Sequence, residues 1–354
     1  MNDVTNCSRI NKECKFCGIC KDHCSFLQEH GNPSEIINKI TTEKQTELPF
    51  LCSLCGLCEE VCPKDIPVVD TMRNYRSEII SQRGSILKEH KPLKMYETFH
   101  RSSIAHYSDI SEDTTAIFFP GCNLSSSRPH LTRKVYKDLK KEHNNLSIVL
   151  DCCSKPSYDM GDYKSFNKGL NKLLDELKQS NVKTIYTACP NCFKVFKESF
   201  DYSIKSIFEI LPTEELSLTE NYILHDPCVM RDEEEIHNLV RTKITDMGIS
   251  YSEKNHSRAR ASCCGEGGAV SFLKKEYTDQ WTKIIKDESN GKPVITYCAG
   301  CTGFLQKEMT SVHLLDLTYS NTKKGKAKYY RAPLTYFMKL RLIFTLWLQK
   351  IFTK

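Results

Sequence analysis

A chain of 354 residues has room for two or three domains, and 40% apolar with 27% charged residues excludes collagenous, low-complexity and mostly disordered architectures. No run of eighteen uncharged apolar residues exists, and Met1 to Asn6 form a polar start, so neither a spanning helix nor export is expected and the location is expected to be cytoplasmic. Of the net charge of +6, residues 321–354 alone carry +9, which leaves −3 for the body and argues against nucleic-acid binding.

The chain holds 19 cysteines. An odd number in tight C-x-x-C groups, without an export signal, argues for metal binding in a reducing compartment rather than a disulfide scaffold. Cys14, Cys17, Cys20 and Cys24 follow C-x2-C-x2-C-x3-C, and Cys52, Cys55, Cys58 and Cys62 repeat it before Pro63. This is the bacterial ferredoxin run, in which soft thiolates hold iron–sulfur cubes and the fourth Cys of each run serves the other cluster. The expected ligand sets are Cys14, Cys17, Cys20 with Cys62, and Cys52, Cys55, Cys58 with Cys24. Zinc would use two C-x-x-C hooks across a longer gap. Ser25 stands where Pro usually follows the first run. Cys7 lies outside every group and reads as an incidental thiol.

Between the runs, Asn32-Pro33-Ser34-Glu35 places a cap, a Pro at the first helical position and a Glu at N3 before Ile36, Ile37 and Ile40, so a helix starts there. After Pro67, the residues Val69, Met72, Tyr75 and Ile79 recur at helical spacing and predict a second helix packed on this domain. The segment from Lys88 to Asp113 is polar and Ser-rich and is expected to be a linker.

The remainder repeats itself. Cys122, Cys152-Cys153 and Cys189-x-x-Cys192 form one set of five, and Cys228, Cys263-Cys264 and Cys298-x-x-Cys301 form a second. Corresponding cysteines are offset by 106, 111, 109 and 109 residues, which signals a duplication. Short apolar runs (116–119, 148–150, 184–186, 222–224 and 294–297) precede the cysteines and suit buried parallel strands. Charged segments of helical period (133–142, 162–178, 234–246 and 272–287) lie between them. Strand, Cys, helix is an α/β order that puts the thiols at the carboxyl ends of strands, with helix N-termini aimed at an electron-rich cluster.

On these residues the chain resembles the paired CCG (cysteine-rich) domains of heterodisulfide reductase catalytic subunits, and with the ferredoxin-type domain in front it is similar to the D-type subunit over residues 7 to about 317. Iron–sulfur subunits of membrane-bound glycerol-3-phosphate, lactate and glycolate oxidation systems, and of the sulfite-reduction membrane complex, share the plan. The fold class expected is a multi-domain α+β protein. An α-helical two-cluster 4Fe-4S domain (1–87) and a linker (88–113) lead into two α/β CCG domains (114–212 and 213–320) and a basic amphipathic tail (321–354). The resemblance implies two cubane [4Fe-4S] clusters and one or two non-cubane [4Fe-4S] clusters on the five-Cys sets, with disulfide chemistry at Cys152, Cys153, Cys263 and Cys264. One departure is that Ser154 follows Cys152-Cys153 where the family has Gly, whereas Gly265 follows Cys263-Cys264.

Lys155, His225, Asp226 and Glu266 flank the cysteines as candidates to position a substrate or deliver protons, or as ordinary loop residues. Gly265-Glu266-Gly267-Gly268 follows two cluster cysteines and is not a dinucleotide fingerprint. In the tail, Tyr336, Phe337, Leu340, Ile343, Phe344, Trp347, Leu348 and Ile351 share one arc, with Thr335, Lys339, Arg341, Thr345, Gln349 and Lys350 mostly opposite. Two readings stay open for residues 333–354: a helix in a membrane interface, or one docked on protein. The expected function is an iron–sulfur oxidoreductase that exchanges electrons with a partner subunit (flavoprotein, ferredoxin or membrane cytochrome) and acts on a disulfide. The alternative is a non-catalytic subunit that wires a dehydrogenase to quinone.

Overall fold

The computed structural model describes residues 3–211, 213–216, 218–319 and 332–352. In the N-terminal domain the Asn32 backbone N–H donates to Glu35 Oε2 at 2.6 Å, which starts the helix Pro33–Thr41. Ile36, Ile37 and Ile40 then turn inward against Ile10, Phe26, Leu27 and Met72, the last from the helix Val68–Arg83. The two cysteine loops follow one backbone path: Phe16 and Leu54 have φ of 55° and 52°, and Gly18 and Gly56 have 83° and 74°. A chain that turns three thiols toward one point must reverse within a few residues. Left-handed backbone achieves this at about 1–2 kcal/mol per non-Gly residue.

The segment expected to be a linker is ordered structure. Lys91–Arg101 is a helix, and Tyr107–Ser108 is the first strand, β1. The sequence hid it because its pattern is inverted: His90, Glu97 and His100 are buried, while Met95 and Ile104 are 70% exposed. Buried polar groups need partners, and Glu97 has Ser157, whose hydroxyl donates at 2.5 Å, and Lys94 at 3.3 Å.

Two sheets follow. Strands β2 (Ala116–Phe119), β3 (Leu146–Leu150), β4 (Thr184–Thr187) and β5 (Ser203–Ser206) pair in parallel, and β1 runs antiparallel to β3, in the order β1-β3-β2-β4-β5. Strands β6 (Asn221–His225), β7 (Ser250–Ser252), β8 (Val294–Thr296) and β9 (Ser311–His313) form a parallel sheet in the order β7-β6-β8-β9. The second order repeats the four parallel strands of the first, with β6 for β2 and β9 for β5, as a duplication requires. The helices Pro129–Glu142, Tyr163–Leu177, Glu234–Asp246 and Lys275–Ser289 bury their apolar stripes against these sheets.

The parts are fastened together. Phe118, Leu150 and Tyr186 of the first sheet share one core with Leu224, Ile295 and Tyr297 of the second, and Arg128 holds Asp316 through Nε and Nη2, each at 2.9 Å. Arg76, fully buried, donates to the backbone carbonyls of Pro49, Cys52, Asp159 and Gly268, so a single side chain ties the N-terminal domain to both halves of the rest.

The helix Leu334–Phe352 lies on the helices Cys122–Ser127 and Pro129–Glu142. It docks through Thr335, Lys339, Leu342 and Leu346 and leaves Phe337, Phe344, Trp347 and Ile351 exposed. This corrects the expected orientation, because Thr335 and Lys339 belong to the arc assigned to solvent. Lys339 has a buried partner that periodicity alone does not reveal. No described helix is long and apolar enough to cross a membrane, and Lys323, Lys324, Lys326 and Lys328 lie outside the described residues.

Candidate metal centres

In the N-terminal domain the thiols gather in two groups of four. Cys14, Cys17, Cys20 and Cys62 line one small cavity with Ile19, Pro33 and Ile66. Cys24, Cys52, Cys55 and Cys58 line another with Leu57, Val68 and Trp281. The fourth Cys of each run therefore stands with the three of the other. Burial raises the proton affinity of these thiols: Cys20, Cys52 and Cys55 are pushed up to about 11, and for Cys20 the neighbours Cys14, Cys62 and Cys17 add to it. Such sulfurs become thiolates when a metal displaces the proton. Cys7 sits apart, 3.1 Å from the Tyr75 hydroxyl.

The five-Cys sets stand where strands end and helices begin. Cys122 opens the helix Cys122–Ser127, Cys152 and Cys153 follow β3, and Cys189 caps the helix Pro190–Ser199, which carries Cys192. Cys298 likewise caps Ala299–Leu305, which carries Cys301. Cys153 and Cys264 hold matching places. Each takes hydrogen bonds from the thiol before it and from one of the C-x-x-C pair, which lowers its proton affinity.

The two sets face each other. Nine of these ten cysteines, all except Cys263, line a cavity of about 170 Å³, together with Tyr96, Lys155, Asp159 and Glu266. It shares Leu93, Tyr96, Asn123, Glu266 and Ala269 with an outer cavity of about 830 Å³, whose far wall includes Phe304, Lys307 and Tyr336. Cys263, hydrogen-bonded to Cys228 and Cys264 of its own set, also packs against Leu57 and Trp281, with Cys55 and Cys24 beside them. The second set thus adjoins the Cys52 group. Arg231 bridges them, donating to the carbonyls of Cys55 (2.9 Å) and Ala261 (2.7 Å), and Trp281 Nε1 donates to Ser53 Oγ at 3.2 Å.

These residues fit iron–sulfur groups. The donors are soft thiols in fours and fives. Glycine leaves room beside them: a Cβ on Gly121 would stand 2.8 Å from Cys189 Cβ, and one on Gly267 would stand 3.2 Å from Cys263 Sγ. Among the described residues no three Cys, His, Asp or Glu groups close on one ion, and a cluster brings iron and sulfide of its own to fill the space between thiols.

Of the other candidates, the structure brings Lys155 and Glu266 to the inner cavity. They occupy corresponding places, each two residues past its Cys-Cys pair. Lys155 is clasped by Asp159, and burial pushes Glu266 up to about 7. His225 and Asp226 do not line it. His225 is wholly buried and pushed down to about 3 by burial, hence neutral. Asp226 is a strut, held by Arg241 (3.0 and 2.8 Å), the Arg258 N–H (2.8 Å) and the Tyr297 hydroxyl (3.2 Å). Tyr96, Arg231 and Lys339 near the thiols were not legible in the sequence, since none sits in a motif.

Residues 13–67 match the model of the 4Fe-4S dicluster domain, and residues 116–197 and 222–306 each match that of the cysteine-rich domain. The chain belongs to the iron–sulfur proteins that join these domains. An uncharacterized iron-sulfur protein of Methanocaldococcus jannaschii is 25% identical over 71% of this chain and 56% of its own length. The B-type subunit of the fumarate reductase (CoM/CoB) of Methanothermobacter marburgensis is 23% identical, over 77% and 62%. The D-type subunit of the dihydromethanophenazine:CoB–CoM heterodisulfide reductase of Methanosarcina acetivorans is 22% identical, over 62% of each. The chain thus spans less than two thirds of the length of these relatives.

Proposed function

We propose that this chain is an electron-transfer oxidoreductase that moves electrons between a redox partner subunit and a disulfide, or related sulfur compound, bound between the cysteine-rich domains. The observation that carries the reading is the inner cavity, where thiols of both five-Cys sets face one space that opens into a larger one. Cys14, Cys17, Cys20 and Cys62 would hold one [4Fe-4S] cluster, Cys24, Cys52, Cys55 and Cys58 a second, and the five-Cys sets one each. Bound clusters would supply one-electron chemistry. The chain's own residues bind and orient: Tyr96 and Asn123 stand where the two cavities join, and Lys155 and Glu266 set the polarity of the inner wall. The names of the fumarate reductase and heterodisulfide reductase relatives support a reductase role.

A non-catalytic wiring subunit is the second reading, favoured by the apolar outer face of the last helix, which suits a membrane surface or membrane subunit. The test is anaerobic reconstitution of the full chain, with iron and sulfide analysis and EPR. The proposal expects about sixteen iron per chain, in four clusters, and a new paramagnetic signal when a thiol binds the oxidised protein. About eight iron, or full electron transfer to quinone analogues with no response to any disulfide or thiol, overturns it.

A further inference from the structure

The halves of the duplication neutralise their thiols differently. In the second, Arg231 lies three residues after Cys228 and is buried, donating to the carbonyls of Cys55 (2.9 Å) and Ala261 (2.7 Å) beside the thiols of that set. The repeat register puts Ser125 at the corresponding place, 106 residues earlier. Ser125 donates its hydroxyl to the Gly121 carbonyl (2.9 Å) and brings no charge.

The cation comes instead from the far end of the chain. Lys339 of the helix Leu334–Phe352 is fully buried, with Nζ 3.1 Å from His100 Nδ1. Burial and the facing Lys339 push His100 down to about 2, so the ring stays neutral and accepts while Lys339 donates. Its helix packs on Cys122–Ser127, which Cys122 opens, and His100 lies 4.3 Å, centroid to centroid, from Tyr96, which lines the inner cavity with Cys122. Burial disfavours the Lys339 charge, and Cys122, Asp151 and Cys152 support it. An apolar side chain would dock this helix more easily, since a buried ammonium is costly unless hydrogen-bond acceptors and negative charge face it.

We propose that Lys339 is the counter-cation of the first five-Cys set, delivered by the C-terminal helix to do for Cys122 what Arg231 does for Cys228. This rests on the reading that Cys122, Cys152, Cys153, Cys189 and Cys192 hold an iron–sulfur cluster. A neighbouring positive charge in low-dielectric surroundings favours the reduced, more negative state of such a group. Lys339 is a positioning and tuning residue, and through it the docking of the last helix sets the potential of the first site.

The experiment is an EPR-monitored redox titration of the anaerobically purified full chain. The signal that Cys122→Ala removes identifies the first site. Lys339→Gln keeps a donor for His100 without the charge, and Lys339→Met suits the apolar groove. Both are expected to move that signal to more negative potential, with the signals identified through Cys14→Ala, Cys52→Ala and Cys228→Ala unmoved. Lys339→Arg is expected to hold the wild-type value. An unmoved first signal in folded Lys339→Gln or Lys339→Met, with iron content intact, overturns the proposal. If Cys122→Ala removes neither iron nor signal, the cluster reading of this set fails first and takes the proposal with it.

Discussion

Ser154 and Gly169 are complementary: a Cβ on Gly169 would collide with Ser154 Oγ. The second half reverses the arrangement. Gly265 stands for Ser154, and a Cβ on Gly265 would lie 3.1 Å from the Thr278 carbonyl and 3.4 Å from the Thr278 Cβ. Both loop residues take left-handed backbone, with φ of 61° at Ser154 and 96° at Gly265. Ser in place of Gly after Cys152-Cys153 leaves the path of the loop intact.

Gly169→Ala should therefore destabilise the protein by about 1–3 kcal/mol through overpacking, and part of that loss should disappear in a Ser154→Gly background, the Arg101 guanidinium having to shift from 2.7 Å in either case. Denaturant unfolding of the four proteins in the cycle measures it. Strict additivity would mean that the two positions do not couple.

The crossing of the cysteine runs makes a spectroscopic prediction. Cys24→Ala should alter the EPR signal that Cys52→Ala alters, and Cys62→Ala the signal that Cys14→Ala alters. Pairing of Cys24 with Cys14 instead would mean that the runs act independently.

Arg76→Met removes the donors to four carbonyls from three parts of the chain. Since buried carbonyls left unpaired cost about 1–3 kcal/mol each, a loss of at least about 3 kcal/mol is expected, with the N-terminal domain becoming sensitive to protease first. A stable, protease-resistant variant would refute the clamp.

The buried rings should make the fold acid-sensitive above the range in which ordinary carboxylates titrate, against the opposite trend of Glu59 and Glu266, which burial pushes up to about 7. Burial pushes His90 down to about 4 and His313 to about 3, below the ordinary 6.5. Below about pH 6.5 the unfolded chain takes up these protons first, so stability is full above that pH and falls as pH drops, by up to about 1.4 kcal/mol per unit for each ring. Unfolding between pH 7.5 and 5.5 tests the slope. His90→Phe, set between the rings of Phe50 and Phe272, should reduce it, and an unchanged slope would exclude His90 as a source.

The outer face of the last helix is testable apart from its inner face. Phe344→Ser with Trp347→Ser should abolish sedimentation with anionic liposomes and leave iron content unchanged, since both side chains point away from the core. A wild-type protein that ignores such liposomes would point to a protein partner.

Sequence alone carried the elements whose signals are local. Asn32 and Glu35 marked a helix start, and the cysteine spacings marked the loops and the repeat. It failed where burial is polar or the element short. His90, Glu97 and His100 disguised a packed helix as a linker, and Lys339 disguised the docked face of the last one. Strands β5, β7 and β9 begin with Ser and run three or four residues, too few for alternation to register. Among the candidate residues, adjacency to a cysteine was a poor guide. Lys155 and Glu266 reach the inner cavity, whereas His225, three residues before Cys228, is buried without lining it.

Lys155 and Glu266 have one more consequence. Copying a domain and folding the copies face to face yields half-sites that are interchangeable, and a guest could be turned end for end without noticing. Here one half contributes an ammonium already clasped by Asp159, and the other a carboxyl group whose proton affinity burial has raised and Lys155 lowers. Reversing a guest is no longer a neutral operation. The two half-sites, alike in their thiols, differ in the charge each brings to the shared wall.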